Sequence, residues 1–138
     1  MRRPFDDVAS NRRALMSRVR GKDTKPELAV RCAAHGMGFR FRLHRRDMPG
    51  TPDLVFPKLK KVIFVHGCFW HRHLGCRKTT TPKAHADYWK SKFDTNIERD
   101  AKNLAALRER GWKALVVWEC ETSNEIALQA QLVRFLTP

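Results

Sequence analysis

The sequence predicts an α/β sandwich around a mixed sheet. Three observations predict it. Patterned segments follow one another as helix, helix, strand, strand, strand, helix, strand, helix. Residues 62–65 form an unbroken apolar run, Val-Ile-Phe-Val, as expected of a central strand covered on both faces. The turn at residues 57–61 is too short for a crossover, so the strands flanking it are expected to pair antiparallel.

Residues 1–20 carry Arg2, Arg3, Arg12, Arg13, Arg18 and Arg20, with Leu15, Met16 and Val19 as one sparse helical stripe. Such a segment reads as a basic arm for a phosphate backbone. Thr24 is positioned to cap the next helix, Pro26 suits its first turn, and Glu27 stands where a capping-box carboxylate would. Leu28, Val30, Cys32, Ala33, Ala34 and Met37 are expected to form its apolar surface, Cys32 as a small buried hydrophobe. Residues 39–43 alternate with period two, which predicts a half-buried strand with its arginines on the other face. A Pro- and Gly-containing loop at residues 47–52 leads to a short strand at 53–56 and the basic turn at 57–61. In residues 84–110 Tyr88, Trp89, Phe93, Ile97, Leu104 and Leu107 recur at helical spacing, with a break expected near residues 94–96. Gly111 ends that helix, residues 112–120 read as a buried strand, and Ser123 is placed to cap a last helix. Ile126, Leu128, Leu132, Val133 and Phe135 supply that helix's apolar face.

The chain's 138 residues suit one domain with one core, here taken as residues 1–138. Hydrophobic residues make up 42%, enough to exclude a disordered tail. No apolar run approaches the ~20 residues a membrane span needs, and the N-terminus lacks a signal-peptide segment. A cytoplasmic protein is therefore expected. The formal net charge of +14, from 28 Lys and Arg against 14 Asp and Glu, favours a polyanionic partner, nucleic acid before an anionic membrane. In a reducing compartment the four cysteines suit metal ligation better than disulfides.

The chemistry concentrates in residues 62–76, where a strand-like run ends in a cluster of His, Cys and aromatic residues. The strand is expected to deliver a catalytic His to the sheet edge. A metal would tie down the loop beyond it, which is expected to present Phe69 and Trp70 outward. Cys68, His73 and Cys76 lie in that loop with Cys-x4-His-x2-Cys spacing, and Cys120 ends a strand that could neighbour theirs. Three soft ligands and a distant thiolate fit a closed tetrahedral zinc site, with His71 as the alternative to His73. Asp53 follows Pro52 and opens a hairpin, where nucleases of the PD-(D/E)xK type hold a magnesium-binding carboxylate. The acid and lysine that should follow are missing, because the next strand reads Phe-Val-His-Gly67.

Four segments in order supply a narrower resemblance. Gly-Thr-Pro-Asp53, Val-Ile-Phe-Val-His-Gly-Cys-Phe-Trp-His71, Asn-Ile-Glu-Arg-Asp100 and the stretch from Gly-Trp112 to Val-Trp-Glu-Cys120 resemble the very-short-patch-repair (Vsr) mismatch endonucleases. The resemblance covers residues 11–120. It implies a restriction-endonuclease-like, PD-(D/E)xK three-layer core with a mixed central sheet and a structural zinc site, histidines replacing the usual lysine. It implies Asp53 and the Val65 carbonyl as magnesium ligands, and His66, His71 and Glu27 as active-site residues. Cys68, His73, Cys76 and Cys120 fall at the zinc positions. Phe69, Trp70 and Trp89 correspond to aromatics that wedge into DNA, and Arg12 and Arg13 belong to the DNA-contacting arm. His71 is favoured as the base, with His66 close to the phosphate. Glu27 either orients a water or only closes the capping box.

The implied activity is a magnesium-dependent nick 5′ of the thymine in a T:G mismatch left by deamination of 5-methylcytosine. The implied setting is a monomer in the bacterial cytoplasm, associated with the nucleoid. Its implied partners are double-stranded DNA with a T:G mismatch, a DNA cytosine-5 methyltransferase acting in the same pathway, and mismatch-repair proteins. A C-terminal extension is expected to be absent. Two rival readings remain: a sequence-specific restriction-type nuclease on matched DNA, and a zinc-stabilised DNA-binding module without catalysis.

Overall fold

The structure is a computed structural model and describes residues 24–138. The predicted basic arm, Arg12 and Arg13 included, lies outside the described residues.

The first helix among the described residues, α1, spans Lys25–Gly36, and the Thr24 side chain caps it by accepting from the Glu27 N–H at 3.4 Å. Its buried positions are Glu27, Val30 and Ala34, spaced three and four apart on one face. Cys32 falls on the opposite face and is exposed, contrary to the expected burial. Leu28 also points outward.

Strand β1 is only Arg42–Leu43, shorter than the alternation predicted, although Phe39 and Phe41 still pack on the core. Strand β2 is Leu54–Phe56 and β3 is Lys61–His66. β1 and β2 pair antiparallel, as do β2 and β3. Helix α2 runs unbroken over Ala86–Glu109, without the break expected near residues 94–96. Its interior absorbs Asp94 and Thr95: Lys90 holds Asp94, and the Thr95 hydroxyl bonds the Ser91 carbonyl one turn back. Strand β4 is Lys113–Trp118 and lies parallel to β3, with Lys61 opposite Lys113 and His66 opposite Trp118. The chain then leaves the sheet in a 3-10 turn, Glu119–Ser123, so Cys120 follows the strand rather than ending it. Helix α3 covers Glu125–Leu136 and is capped by Asn124, not Ser123, whose hydroxyl bonds the Cys120 carbonyl inside the turn.

The sheet order is β1-β2-β3-β4, a four-stranded mixed sheet. Alternate residues of its inner strands feed two cores. Leu54, Phe56, Ile63 and Val117 face α1 and α3, meeting Val30, Ala34, Leu128, Leu132 and Leu136. Val55, Val62 and Phe64 face the other way, toward Leu107 of α2. The sheet is thus covered on both faces, which explains the unbroken apolar runs. Val62, Phe64 and His66 share the α2 face by strand alternation, so β3 ends by pointing an imidazole at α2. Gly50 adopts φ +77°, and a side chain there would meet Asn103 at 3.0 Å; the loop before β2 lies tight on α2 for lack of one.

Candidate active site and metal centre

An open cleft of about 1030 Å³ lies where α1, β2, β3 and α2 meet. Glu27, Asp53, Val65, His66, His71 and Asp100 line it, with Lys25, Lys92 and Arg99. Asp53 precedes β2, and the antiparallel register sets it beside the end of β3. There the Val65 N–H donates to Asp53 Oδ2 at 2.7 Å. Burial pushes the Asp53 carboxyl up to about 6, the Val65 N–H opposing and the nearby Glu27 charge adding to the rise.

The two predicted histidines meet face to face. His66 and His71 stack with ring centroids 3.8 Å apart and planes within 8°. Burial, then the neighbouring His71, lowers His66 to about 4, so His66 is a neutral imidazole at neutral pH. His71 Nδ1 lies 2.6 Å from Asp100 Oδ2. A carboxylate only accepts, so Nδ1 carries the proton and Nε2 is the atom left to take one. This arrangement of base and orienting carboxylate is a common one for proton abstraction.

Glu27 is 2% exposed. Its Oε2 accepts from Arg31, four residues along α1, and lies 2.7 Å from His44 Nε2. His44 Nε2 is also 3.8 Å from Asp53 Oδ1. Glu27, His44 and Asp53 therefore form one group whose ligand atoms lie within 4.8 Å of one another.

A second group gathers Cys68, His73, Cys76 and Cys120, again within 4.8 Å. His73, rather than His71, is the imidazole among the thiols: its Nδ1 is 3.6 Å from Cys68 Sγ and 3.4 Å from Cys120 Sγ. Its ring stacks on Trp118 at 4.3 Å, which fixes its plane. The Thr79 hydroxyl donates to the His73 carbonyl at 2.7 Å, and the Cys68 N–H to Glu119 Oε1 at 3.2 Å. Burial pushes the Cys68 thiol up to about 12, whereas the Lys78 N–H draws Cys76 down to about 7. Three thiols and an imidazole at this separation fit a tetrahedral zinc ion, whose charge would deprotonate the thiols outright.

The aromatics do not stand outward as expected. Trp70 is buried at 9% exposure. Phe69 meets Trp70, Trp89 and Phe93 edge-on at 5.0, 5.9 and 5.2 Å. The Arg72 guanidinium sits 4.0 Å over Phe93. Asn96 of α2 donates to the Trp70 carbonyl at 3.1 Å. The correction has a physical cause: the loop lies against the first turns of α2, whose Trp89 and Phe93 offer it a partner.

Residues 6–78 match the family described as DNA mismatch endonuclease Vsr. The chain belongs to the Vsr family. It is 38% identical over 112 residues to the DNA mismatch endonuclease Vsr of Escherichia coli K12, covering 81% of this chain and 69% of that enzyme. It is 54% identical over 127 residues to the type II nicking enzyme V.XorIIP of Xanthomonas oryzae pv. oryzae, covering 92% and 93%. The type II nicking enzyme V.NmeAIP of Neisseria meningitidis is 42% identical over 129 residues, with 94% and 91% covered. Vsr proteins are DNA endonucleases, and the +14 charge of this chain suits that partner. No helix among the described residues is long and apolar enough to cross a membrane.

Asp53, His66, His71 and Glu27, predicted from sequence, line one cleft of this Vsr-family chain, and the four predicted zinc ligands form one cluster apart from it. Sequence reasoning gave no role to Asp100, His44 or Asn96. Asp100 was in view within the Asn-Ile-Glu-Arg-Asp100 segment, one turn beyond Asn96 on the same helix face, but its partner His71 is 29 residues away. His44 carried no local signal beyond being a histidine next to a strand.

Proposed function

We propose that this Vsr-family protein is a magnesium-dependent, strand-specific endonuclease that nicks duplex DNA 5′ of the thymine at T:G mismatches. The observation that carries the proposal is the convergence of Asp53, His66 and His71 on one basic-rimmed cleft. In this reading the fold is of the PD-(D/E)xK type, with the histidines at the end of β3 in place of the lysine. Asp53 and the Val65 carbonyl hold the magnesium. The fit is reasonable, because the N–H and C=O of one strand residue point to the same side, and the Val65 N–H already bonds Asp53. A dication there supplies charge neutralisation at the phosphoryl oxygens. His71, oriented by Asp100, takes the proton of the attacking water at Nε2. His66, neutral and buried, lies against the phosphate as a hydrogen-bonding wall. Glu27 faces the same cleft, held by Arg31. Zinc on Cys68, His73, Cys76 and Cys120 fixes the loop that carries the histidines.

Phe69, Trp70 and Trp89 act as the wedge at the mismatch. A T:G pair unstacks at lower cost than a matched one, so insertion itself discriminates. The closed aromatic cluster must then rearrange on DNA. Arg12 and Arg13 contact phosphates. The protein works as a monomer in the bacterial cytoplasm, alongside a cytosine-5 methyltransferase and mismatch-repair proteins.

A second reading is favoured by the names of two relatives, which are type II nicking enzymes. In it the chain nicks a defined matched sequence. One experiment separates the two: T:G and T:A duplexes of the same sequence, with varied flanks, incubated with magnesium. A nick confined to the T:G strand supports the first reading. Equal nicking of both duplexes supports the second. No nick with any duplex, or full nicking by Asp53→Ala, defeats both.

A further inference from the structure

We propose that His44 is a further ligand of the cleft's divalent cation, its Nε2 joining the Val65 carbonyl and one oxygen each from Glu27 and Asp53, and that this nitrogen makes the site favour manganese(II) over magnesium. The inference rests on the reading of this cleft as a cation site.

The geometry begins in the backbone. His44 follows β1, directly after Leu43 pairs with Leu54, and its N–H donates to the Asp53 carbonyl at 3.3 Å. The two residues are therefore held opposite each other by the ladder. His44 adopts φ +47°, in the left-handed region, which histidine enters more readily than most non-glycine residues.

The side chain then ends between two carboxylates. Nε2 is buried and has no hydrogen-bond partner among the described residues. It lies 2.7 Å from Glu27 Oε2, an ion-pair separation when the imidazole is protonated, and 3.8 Å from Asp53 Oδ1. A buried polar atom of this kind calls for an explanation, and an ion is one of the standard ones. All three candidate ligand atoms fall within 4.8 Å of one another. Neighbouring donors around a cation with bonds of about 2.1 Å stand roughly 3 Å apart, so the spacing needs only small adjustment. The buried Glu27 carboxylate, held by Arg31, and the half-buried Asp53 carboxylate also repel, which a cation between them would relieve.

The donor set decides the preference. Magnesium demands oxygen ligands in near-ideal geometry and gives up water reluctantly. Imidazole nitrogen suits first-row transition dications better than it suits magnesium. Manganese(II) accepts carboxylates and a nitrogen together, and it has little affinity for the thiolate cluster, which stays zinc-loaded.

The test uses metal alone, without DNA. Manganese(II) and magnesium binding to the zinc-loaded protein are measured by calorimetry, and nitrogen coupling to bound manganese(II) by pulsed electron paramagnetic resonance. The wild type is expected to show a histidine nitrogen coupling that persists in His66→Ala and His71→Ala and vanishes in His44→Gln. His44→Gln is expected to lose about tenfold or more in manganese(II) affinity with less than about threefold change for magnesium. Absence of coupling in the wild type, or its persistence in His44→Gln, overturns the proposal. The wild-type measurement needs no variant, so a folding defect in His44→Gln does not shield the idea. Nicking is scored separately. Coupling without nicking on any duplex removes the nuclease reading and leaves the ligand; nicking without coupling does the reverse.

Discussion

Asp100 touches no atom of a substrate in the proposed reaction, yet it decides which nitrogen of His71 is free. Its Oδ2 sits 2.6 Å from Nδ1 and so keeps the proton there. Asp100→Asn can present an amide N–H instead, which favours the opposite tautomer. That variant is expected to lower kcat by about 10²–10⁴-fold with little change in DNA affinity. Single-turnover nicking beside a binding titration checks it. Asp53 sets a pH dependence. Its carboxyl is raised to about 6, mainly by burial. A group raised in the fold contributes stability below its ordinary, unfolded value and loses it as pH rises through about 6. Without divalent metal, Asp53→Asn is therefore expected to melt above wild type at pH 8, by on the order of 2 kcal/mol. The gap should close near pH 4. His66, lowered to about 4, acts in the opposite sense, its contribution being lost as pH falls, but it is common to both proteins and cancels. In the proposed magnesium site protons would compete with the cation at Asp53, so metal affinity should fall about tenfold per pH unit below 6.

At the scale of elements, a zinc ion in the proposed site would hold the loop after β3 by ligands from two places. Cys68, His73 and Cys76 belong to it, and Cys120 comes from the 3-10 turn after β4. The parallel pairing of β3 and β4 makes the meeting possible, since both strands end at the same edge of the sheet. Cys120→Ser is expected to bind zinc weakly and to expose residues 67–79 to protease, while β2 and β3 stay protected. Elemental analysis and limited proteolysis check it. Helix α3 gives a packing test. Leu132 is fully buried in the core on that face, and Ile126 is 81% exposed. Leu132→Ala should cost about 2–5 kcal/mol and Ile126→Ala no more than about 0.5, by denaturant melts. The result bears on the sequence reading as well. Periodicity placed an amphipathic helix here but counted Ile126 and Val133 in its apolar face, because hydrophobicity alone does not say how wide the buried stripe is. The same limitation put Cys32 in the core of α1.

Across the whole molecule, a net charge of +14 implies affinity dominated by phosphate contacts. Alanine at Arg12 and Arg13 is expected to weaken binding to matched and mismatched duplexes alike and to flatten the salt slope by about 1 for each. Titrations at several salt concentrations test it; a loss confined to the mismatched duplex would contradict a phosphate role. What the sequence determined by itself is what local pattern carries: two-sided strands from continuous apolar runs, an antiparallel hairpin from a short turn, helices from three-and-four spacing. Rare strings such as His-Gly-Cys-Phe-Trp-His71 added the family. Only the tertiary structure decided that His73 rather than His71 joins the thiols, that Asp100 holds His71, and that His44 stands between Glu27 and Asp53. It also folded the aromatics onto α2 instead of leaving them outward. The reason is common to all four: each depends on side chains far apart in sequence meeting at the edge of the sheet, and no spacing along the chain encodes which of several equivalent histidines or faces will arrive there.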